Sequence, residues 1–110
     1  MTGAYDLIHR EVANWQDITH QPHHFGGTEY DYKGKEIGHI HGDAIVDIPF
    51  SVAIRKKLVE KGKALAHHIL PDTGWVTIYL KSETEVLHAI ELLRYSYELK
   101  KSKAEARNHS

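Results

Sequence analysis

The stretch Glu36–Asp43 (EIGHIHGD) carries residue types that suit a metal ion. Imidazole and carboxylate groups are ligands of zinc, iron and manganese. His39 and His41 stand two residues apart, and side chains on a strand alternate between its two faces. Both rings therefore point the same way, and the H-x-H spacing predicts two ligands of one metal site.

Further ligands would come from other parts of the chain. His67 and His68 on a second strand could add a third ligand, and we favour His68. Glu36, Asp43 or Asp47 could serve as a fourth ligand or accept hydrogen bonds from the ligating rings. Three histidines and one carboxylate would leave a coordination position for water, which is how a metal site becomes catalytic.

The predicted site combines a metal centre with a surface for a small ligand. The expected ligands of a divalent metal are His39, His41 and His68. The residues expected to contact a small molecule are Glu36, Asp47, His67, Trp75 and Tyr79. Two other interpretations stay open: the histidines are hydrogen-bonded side chains of a half-buried sheet, or His39 and Asp47 perform acid–base chemistry without a metal.

Composition excludes several classes of protein. The chain has 110 residues with Lys+Arg 14, Asp+Glu 15, ten His and no Cys. This length suits one domain, expected over residues 1–101, with a frayed basic tail at 102–110. Without cysteine there is no disulfide frame or zinc–thiolate site, and a cytoplasmic setting is expected. No apolar run could span a membrane, and no secretory signal is expected. The cofactor-binding motifs GxGxxG and GxxxxGK[ST] do not occur.

Charge is unevenly distributed along the chain. Residues 1–50 carry three Lys/Arg against eight Asp/Glu, whereas residues 51–110 carry eleven against seven. The basic excess lies in Arg55–Lys63 and in a tail that contains Lys100, Lys101, Lys103 and Arg107. These runs suggest a second function, a nucleic-acid or protein interaction module, although such runs are usually solvated helix faces.

The periodicity of apolar residues predicts an α+β fold with the order α-β-β-β-α-β-β-α. Helices are expected over residues 4–15, from the Ser51 cap to Gly62, and after the capping box that begins at Ser82. The expected strands are residues 28–32, the two arms of a hairpin within 36–50, and residues 64–70 and 74–80. Hairpin connections predict a two-layer sandwich, with a five-stranded antiparallel sheet covered on one face by helices.

One histidine-rich segment falls between the first helix and the first predicted strand. From Gln16 to Gly27 the periodicity stops, and Pro22 with Gly26-Gly27 predicts a loop. His20, His23 and His24 in this loop could extend the metal cluster, but flexible histidine-rich loops also bind metals loosely.

The hairpin loop decides which face the histidines occupy. A two-residue loop, Gly42-Asp43, would put His39 and His41 in the core beside Val46. A three-residue loop, residues 41–43, would put Ile40 in the core and turn His39 and Asp47 outward, and we favour this alternative.

The face away from the helices is predicted to gather aromatic and histidine residues. The expected outward set is Tyr30, Tyr32, His39, Asp47, His68, Trp75, Thr77 and Tyr79. On the strand 64–70, alternation would turn Leu65, His67 and Ile69 towards the helices. Such a face suits ligand binding, and the alternative is that the tail or a partner subunit covers it.

Several motifs resemble one family of small proteins. They are FGG at 25–27, EIGHIHG at 36–42, VDIP at 46–49 and HHxLPDxGW at 67–75. Together they resemble the bacterial and fungal proteins of the luciferase-domain family, over about residues 15–97. The family name implies no particular substrate. Light emission is a third candidate function, beside the metal or ligand site and the interaction module. The chain is also distantly similar to MmcQ/YjbR-like proteins, which implies a two-layer α/β sandwich and a DNA-binding function.

Overall fold

A computed structural model describes residues 1–108 and contains three helices and six strands within that range. The elements in chain order are α1 (Ala4–Val12), β1 (Ile18–Pro22), β2 (Thr28–Tyr32), β3 (Lys35–His41), β4 (Ile45–Pro49), α2 (Val52–Glu60), β5 (Leu65–Ala66), β6 (Trp75–Tyr79) and α3 (Glu83–Asn108). The predicted α+β class is confirmed.

The sheet is open and antiparallel, with the strand order β1-β2-β3-β4-β6-β5. The prediction of five strands was wrong, because residues 18–22 form β1 where a loop was expected. β1 is an edge strand that pairs only with β2, and four of its five side chains are exposed. An exposed edge strand needs no alternation of apolar residues, so its sequence carries no strand pattern.

The hydrophobic core lies between α3 and the sheet. α3 packs across β2, β3, β4 and β6, and α1 packs against α3. Ser51 caps α2 as predicted, since its side chain accepts a hydrogen bond from the Ile54 N–H. The largest fully buried apolar side chains include Ile8, Val12, Ile37, Ile40, Val46, Ile48, Val76, Val86 and Leu93.

The last helix is longer than the apolar stripe predicts. Val86, Ala89, Leu93 and Tyr97 of that stripe are buried, as expected. The helix then continues past Lys101 to Asn108, through most of the predicted tail, whose last two residues, His109 and Ser110, lie outside the described residues. Within residues 1–108, no helix combines the length and the apolar character needed to cross a bilayer.

A β-bulge interrupts β3 where it pairs with β2. Tyr30 is opposite Gly38 and the next residue, Asp31, is opposite Glu36, so that Ile37 is the extra residue. Gly38 has a φ of +156°, and a Cβ atom there would lie 2.6 Å from Cδ2 of Leu93. The close approach of α3 to β3 therefore requires glycine at this position.

The β3–β4 hairpin turns His39 and Asp47 outward, as predicted, but its loop is shifted by one residue from the predicted loop. His41 pairs with Ile45, so the three loop residues are 42–44 rather than 41–43. His39 is paired with Asp47, and Ile40 with Val46, which places Ile40 in the core. The outward orientation of His39 and Asp47 is as expected, although the predicted loop began one residue too early.

Two of the predicted outward residues lie on the helix side instead. The Tyr30 hydroxyl is hydrogen-bonded to Nδ1 of His9 on α1 at 2.8 Å, and the Tyr32 ring contacts Tyr97 on α3. The prediction was wrong because alternation gives only relative orientation, and here the phase is fixed by packing against the helices.

The phase of β5 is also opposite to the prediction. Leu65 pairs with Thr77, and Ala66 with Val76, which is a core residue. Ala66 therefore faces the core, whereas Leu65 shares the outward face with Thr77. By the same alternation His67, which was predicted to point towards the helices, is turned to the face that carries Asp47.

Candidate functional site

Four imidazole rings surround the carboxylate of Asp47. Its Oδ2 atom lies 3.2 Å from Nε2 of His39 and 3.4 Å from Nε2 of His41. The same oxygen lies 3.6 Å from Nε2 of His67 and 3.5 Å from Nε2 of His68. Strands β3 and β4 and the segment after β5 thus converge on one oxygen atom.

The second oxygen of Asp47 has a separate partner. The Thr77 hydroxyl on β6 donates a 2.7 Å hydrogen bond to Oδ1, and both residues are buried. The cross-strand pairing of Asp47 with Thr77 accounts for this contact. One oxygen is therefore fixed by the sheet, while the other faces the four rings.

His39 is held between two carboxylates. Its Nδ1 lies 2.6 Å from Oε2 of Glu36, on the side of the ring opposite to Asp47. Burial lowers the pKa of His39, but the hydrogen bonds to Asp47 and Glu36 prevail and raise it to about 9. In the absence of any other cation, His39 is therefore protonated at neutral pH and donates to both acids.

The pKa of the Asp47 carboxyl group is shifted in the opposite direction. Burial raises its pKa, but hydrogen bonds from His39 and Thr77, and the nearby His67, lower it to about 2. Asp47 is thus ionised at neutral pH although its side chain is only 1% exposed. A buried carboxylate is stabilised in this way only by partners that donate hydrogen bonds or carry positive charge.

The segment after β5 fixes the protonation state of His67. Nδ1 of His67 accepts hydrogen bonds from the backbone N–H groups of Ile69 at 3.1 Å and Leu70 at 3.0 Å. A neutral imidazole whose Nδ1 is an acceptor carries its proton on Nε2. His67 therefore faces Asp47 with an N–H donor, and burial lowers its pKa, which keeps the ring neutral.

Aromatic rings cover the buried side of the cluster. The His23 ring stacks on His39 with 3.9 Å between centroids, and Trp75 lies 5.3 Å from His39. Burial, followed by the charge of His39, lowers the pKa of His23. By contrast, the side chains of His41 and His68 are 30% and 32% exposed, so the cluster is open to solvent on their side.

The structure brings seven of the eight predicted site residues together. They are Glu36, His39, His41, Asp47, His67, His68 and Trp75. Tyr79 lies elsewhere and lines a cleft with Val59 and Lys81. Asp43, the third carboxylate considered, accepts hydrogen bonds from the N–H groups of Gly3 and Tyr5 at the start of α1, and these bonds lower its pKa.

Two residues of the site were not in the predicted set. Thr77 was placed on the outward face but without a role, and its position opposite Asp47 depends on strand pairing. His23 follows β1 and was only one of three loop histidines that could extend the cluster. Of the other two, His20 contacts His9 near α1, whereas His24 packs on Phe25.

The donor atoms form groups that could hold a cation. His39, His41 and Asp47 each offer one atom within 4.8 Å of the others, and so do Asp47, His67 and His68. A third group consists of His23, Glu36 and His39. The first two groups share Asp47, which thus links the His39–His41 pair to the His67–His68 pair.

Comparison with known proteins identifies a family for this chain. Residues 34–96 match the family model of the luciferase domain, which covers more than half of the sequence and includes both histidine motifs. No curated protein and no solved structure gives a match. The similarity to MmcQ/YjbR-like proteins stays a prediction. The extent of the match to the family model shows that the chain belongs to the luciferase-domain family.

Proposed function

We propose that this domain binds a divalent transition-metal ion through His39, His41, His68 and Asp47. The observation that carries the proposal is the position of Asp47 Oδ2, 3.2–3.5 Å from Nε2 of each of these three histidines. Ligands about 2.0–2.1 Å from a tetrahedral zinc ion are about 3.3–3.4 Å apart. The distances from Oδ2 to the three nitrogens thus match those between ligands of one ion. His68 forms a donor group with Asp47 separate from that of His39 and His41, so it would have to approach these two rings to share the ion.

The contacts behind these ligands support the same proposal. Metal-binding histidines commonly donate their second N–H to a carboxylate, which orients the ring and makes it a better ligand. Glu36 would play this part for His39 through the 2.6 Å contact at Nδ1. Thr77 would orient Asp47 through Oδ1 and leave Oδ2 for the metal.

His67 would serve the site as a hydrogen-bond donor rather than as a ligand. Its Nδ1 accepts two backbone hydrogen bonds, so a metal at Nε2 would require the ring to lose both protons. A neutral imidazole with Nε2–H can instead donate to Asp47 or to an oxygen atom bound to the metal. This difference favours His68 over its neighbour as the third histidine ligand.

A small molecule would complete the coordination shell. Three histidines and one carboxylate leave a position for water or a ligand oxygen when the ion takes five or six ligands. The solvent-exposed side of His41 and His68 is the natural entrance for such a molecule. The proposed function is therefore a metal-dependent site for a small ligand.

The test is metal binding by the full chain after removal of metals with EDTA. Calorimetry with Zn²⁺, Mn²⁺, Fe²⁺ and Ni²⁺ should give one site per chain for at least one ion, and the same ion should raise the melting temperature. The variant His39→Gln/His41→Gln should lose both effects. The control variant His20→Gln/His88→Gln removes two exposed histidines and should keep them.

Ten histidines can bind metal weakly without forming a site, so the control decides the result. Equal loss in both double variants, or no binding of any of the four ions, would overturn the proposal. In that event two interpretations remain: the histidines are hydrogen-bonded side chains of the sheet, or the His39–Asp47 pair performs acid–base chemistry. The shifted pKa values of this pair would appear in an NMR titration of the metal-free protein.

A further inference from the structure

A second cleft lies at the end of α3, on different residues from the histidine cluster. It has a volume of about 470 Å³ and is formed by the last two turns of α3 and the turn between β2 and β3. Five cationic side chains line it, and no carboxylate belongs to its lining within residues 1–108. The five are Lys33, Lys35, Lys100, Lys103 and Arg107.

The helix presents its cations to the cleft on one face. Lys100, Lys103 and Arg107 stand three and four residues apart, which is the spacing of neighbours on a helix surface. This face exists because α3 extends to Asn108. The β2–β3 turn adds Lys33 and Lys35 from the other side.

Lys100 is the most constrained of these residues. Its Nζ donates hydrogen bonds to the Pro49 carbonyl at 3.1 Å and to the Ser96 hydroxyl at 2.9 Å, so the ammonium group is fixed in place. Burial, followed by the charge of Lys103, lowers the pKa of Lys100 to about 8, and the charge of Glu36 opposes this shift only in part. The positive charges thus oppose one another, and an anion in the cleft would relieve this repulsion.

Four of the five cations have no carboxylate partner among the described residues. Lys33, Lys35, Lys100 and Lys103 form no ion pair with a carboxylate of the described residues. Basic residues near the end of a helix interact favourably with its dipole, which accounts for Lys103 and Arg107. That effect does not account for the two lysines of the β2–β3 turn, which belong to the sheet.

We propose that this cleft binds a small molecule that carries two or more phosphate groups. Five cations around one cavity call for a ligand with several negative charges, and a phosphate oxygen can accept from both lysine and the arginine fork. The volume falls within the range of small-molecule sites, about 300–1,000 Å³, and a concave cavity favours a compact ligand over an extended chain.

The probe is inorganic tripolyphosphate, titrated into the full chain by calorimetry at 150 mM salt with EDTA present. We expect one site per chain and a higher melting temperature. The variant Lys35→Gln/Lys103→Gln should weaken binding by a factor of ten or more. The control Lys56→Gln/Lys57→Gln removes the same charge from the exposed face of α2 and should change Kd by less than a factor of two.

Two further variants separate the cleft from folding and from the metal site. Lys35→Arg/Lys103→Arg keeps the charge and should retain binding. His39→Gln/His41→Gln should also retain it, since the proposed metal ligands lie outside the cleft. Absence of tripolyphosphate binding, or equal weakening in the two Lys→Gln variants, would overturn the proposal. Tighter binding of duplex DNA than of tripolyphosphate, lost on substitution of Lys35 and Lys103, would assign the cleft to nucleic acid instead.

Discussion

Glu36 and His39 are joined by a 2.6 Å contact although they stand three residues apart on one strand. In a regular strand this spacing would place them on opposite faces. The bulge at Ile37 shifts the alternation by one residue, so that both side chains reach the face that carries Asp47. A local irregularity of the backbone thereby supplies the second carboxylate of the candidate site.

The bulge should depend on the absence of a side chain at residue 38. Gly38→Ala would place its Cβ 2.6 Å from Leu93 Cδ2 and 3.0 Å from the Asp47 carbonyl oxygen. We expect a loss of about 1–3 kcal/mol in the free energy of unfolding, together with weaker metal binding. Gly34→Ala also has a positive φ but meets no atom within 4 Å, and it should leave metal affinity unchanged. Denaturant unfolding and calorimetry measure the two effects, and unaltered metal binding by Gly38→Ala would contradict the role of the bulge.

Leu93 should be one of the main contributors to stability. It is 1% exposed and packs against β3 at Gly38. Leu93→Ala should cost about 2–5 kcal/mol in the free energy of unfolding, because it removes buried methyl groups and leaves a cavity. Leu87 on the same helix is 56% exposed, and Leu87→Ala should change stability by about 0.5 kcal/mol or less. A similar midpoint of urea unfolding for the two variants would contradict the packing of this helix.

The adjacent histidines after β5 should differ in their effect on metal binding. His68→Gln removes a proposed ligand and should weaken metal affinity by at least tenfold. His67→Gln removes a donor whose Nδ1 is already occupied by two backbone N–H groups, and affinity should change by about threefold or less. Competition with a chromophoric chelator measures both dissociation constants. The reverse order of the two variants would show that the ring of His67 turns over to bind the ion.

The charge state of His39 should make the metal-free protein less stable in alkali. The pKa of this residue is raised from 6.5 to about 9 in the folded chain, chiefly by Asp47 and Glu36 against the effect of burial. The resulting stabilisation is fully present below pH 6.5 and is lost as the pH rises through 9, a change of about 1–2 kcal/mol after solvent screening.

The measurement is the urea midpoint at pH 6 and at pH 9.5 in EDTA. His39→Gln should remove this part of the pH dependence, whereas His88→Gln on the exposed face of α3 should retain it. In acid the pH dependence of stability has the opposite sign, because the pKa of Asp47 is lowered from 3.8 to about 2. The stabilisation that Asp47 contributes is lost as the pH falls through that value. The same change of midpoint between pH 6 and 9.5 in His39→Gln as in the unsubstituted chain would contradict the ion pairing, since Lys100, whose pKa is lowered to about 8, acts in the opposite direction in both.

Local patterns in the sequence determined much of the fold. The Ser51 cap, the apolar stripe of α3 and the alternation of residues 74–80 depend on near neighbours, and each corresponds to an element of the structure. The H-x-H spacing also determined that His39 and His41 share a face, since alternation is a property of any strand. Those parts were predictable because short-range sterics and capping suffice to fix them.

Tertiary structure alone decided how these elements are placed relative to one another. β1 has no apolar alternation and exists through its hydrogen bonds to β2. The phase of β5, which turns His67 outward, and the bulge that brings Glu36 to His39 follow from pairing and from the packing of α3 against Gly38. Asp47 is the centre of the cluster because three strands and the segment after β5 meet there. Sequence spacing cannot specify that meeting point, because it depends on contacts between residues far apart in the chain.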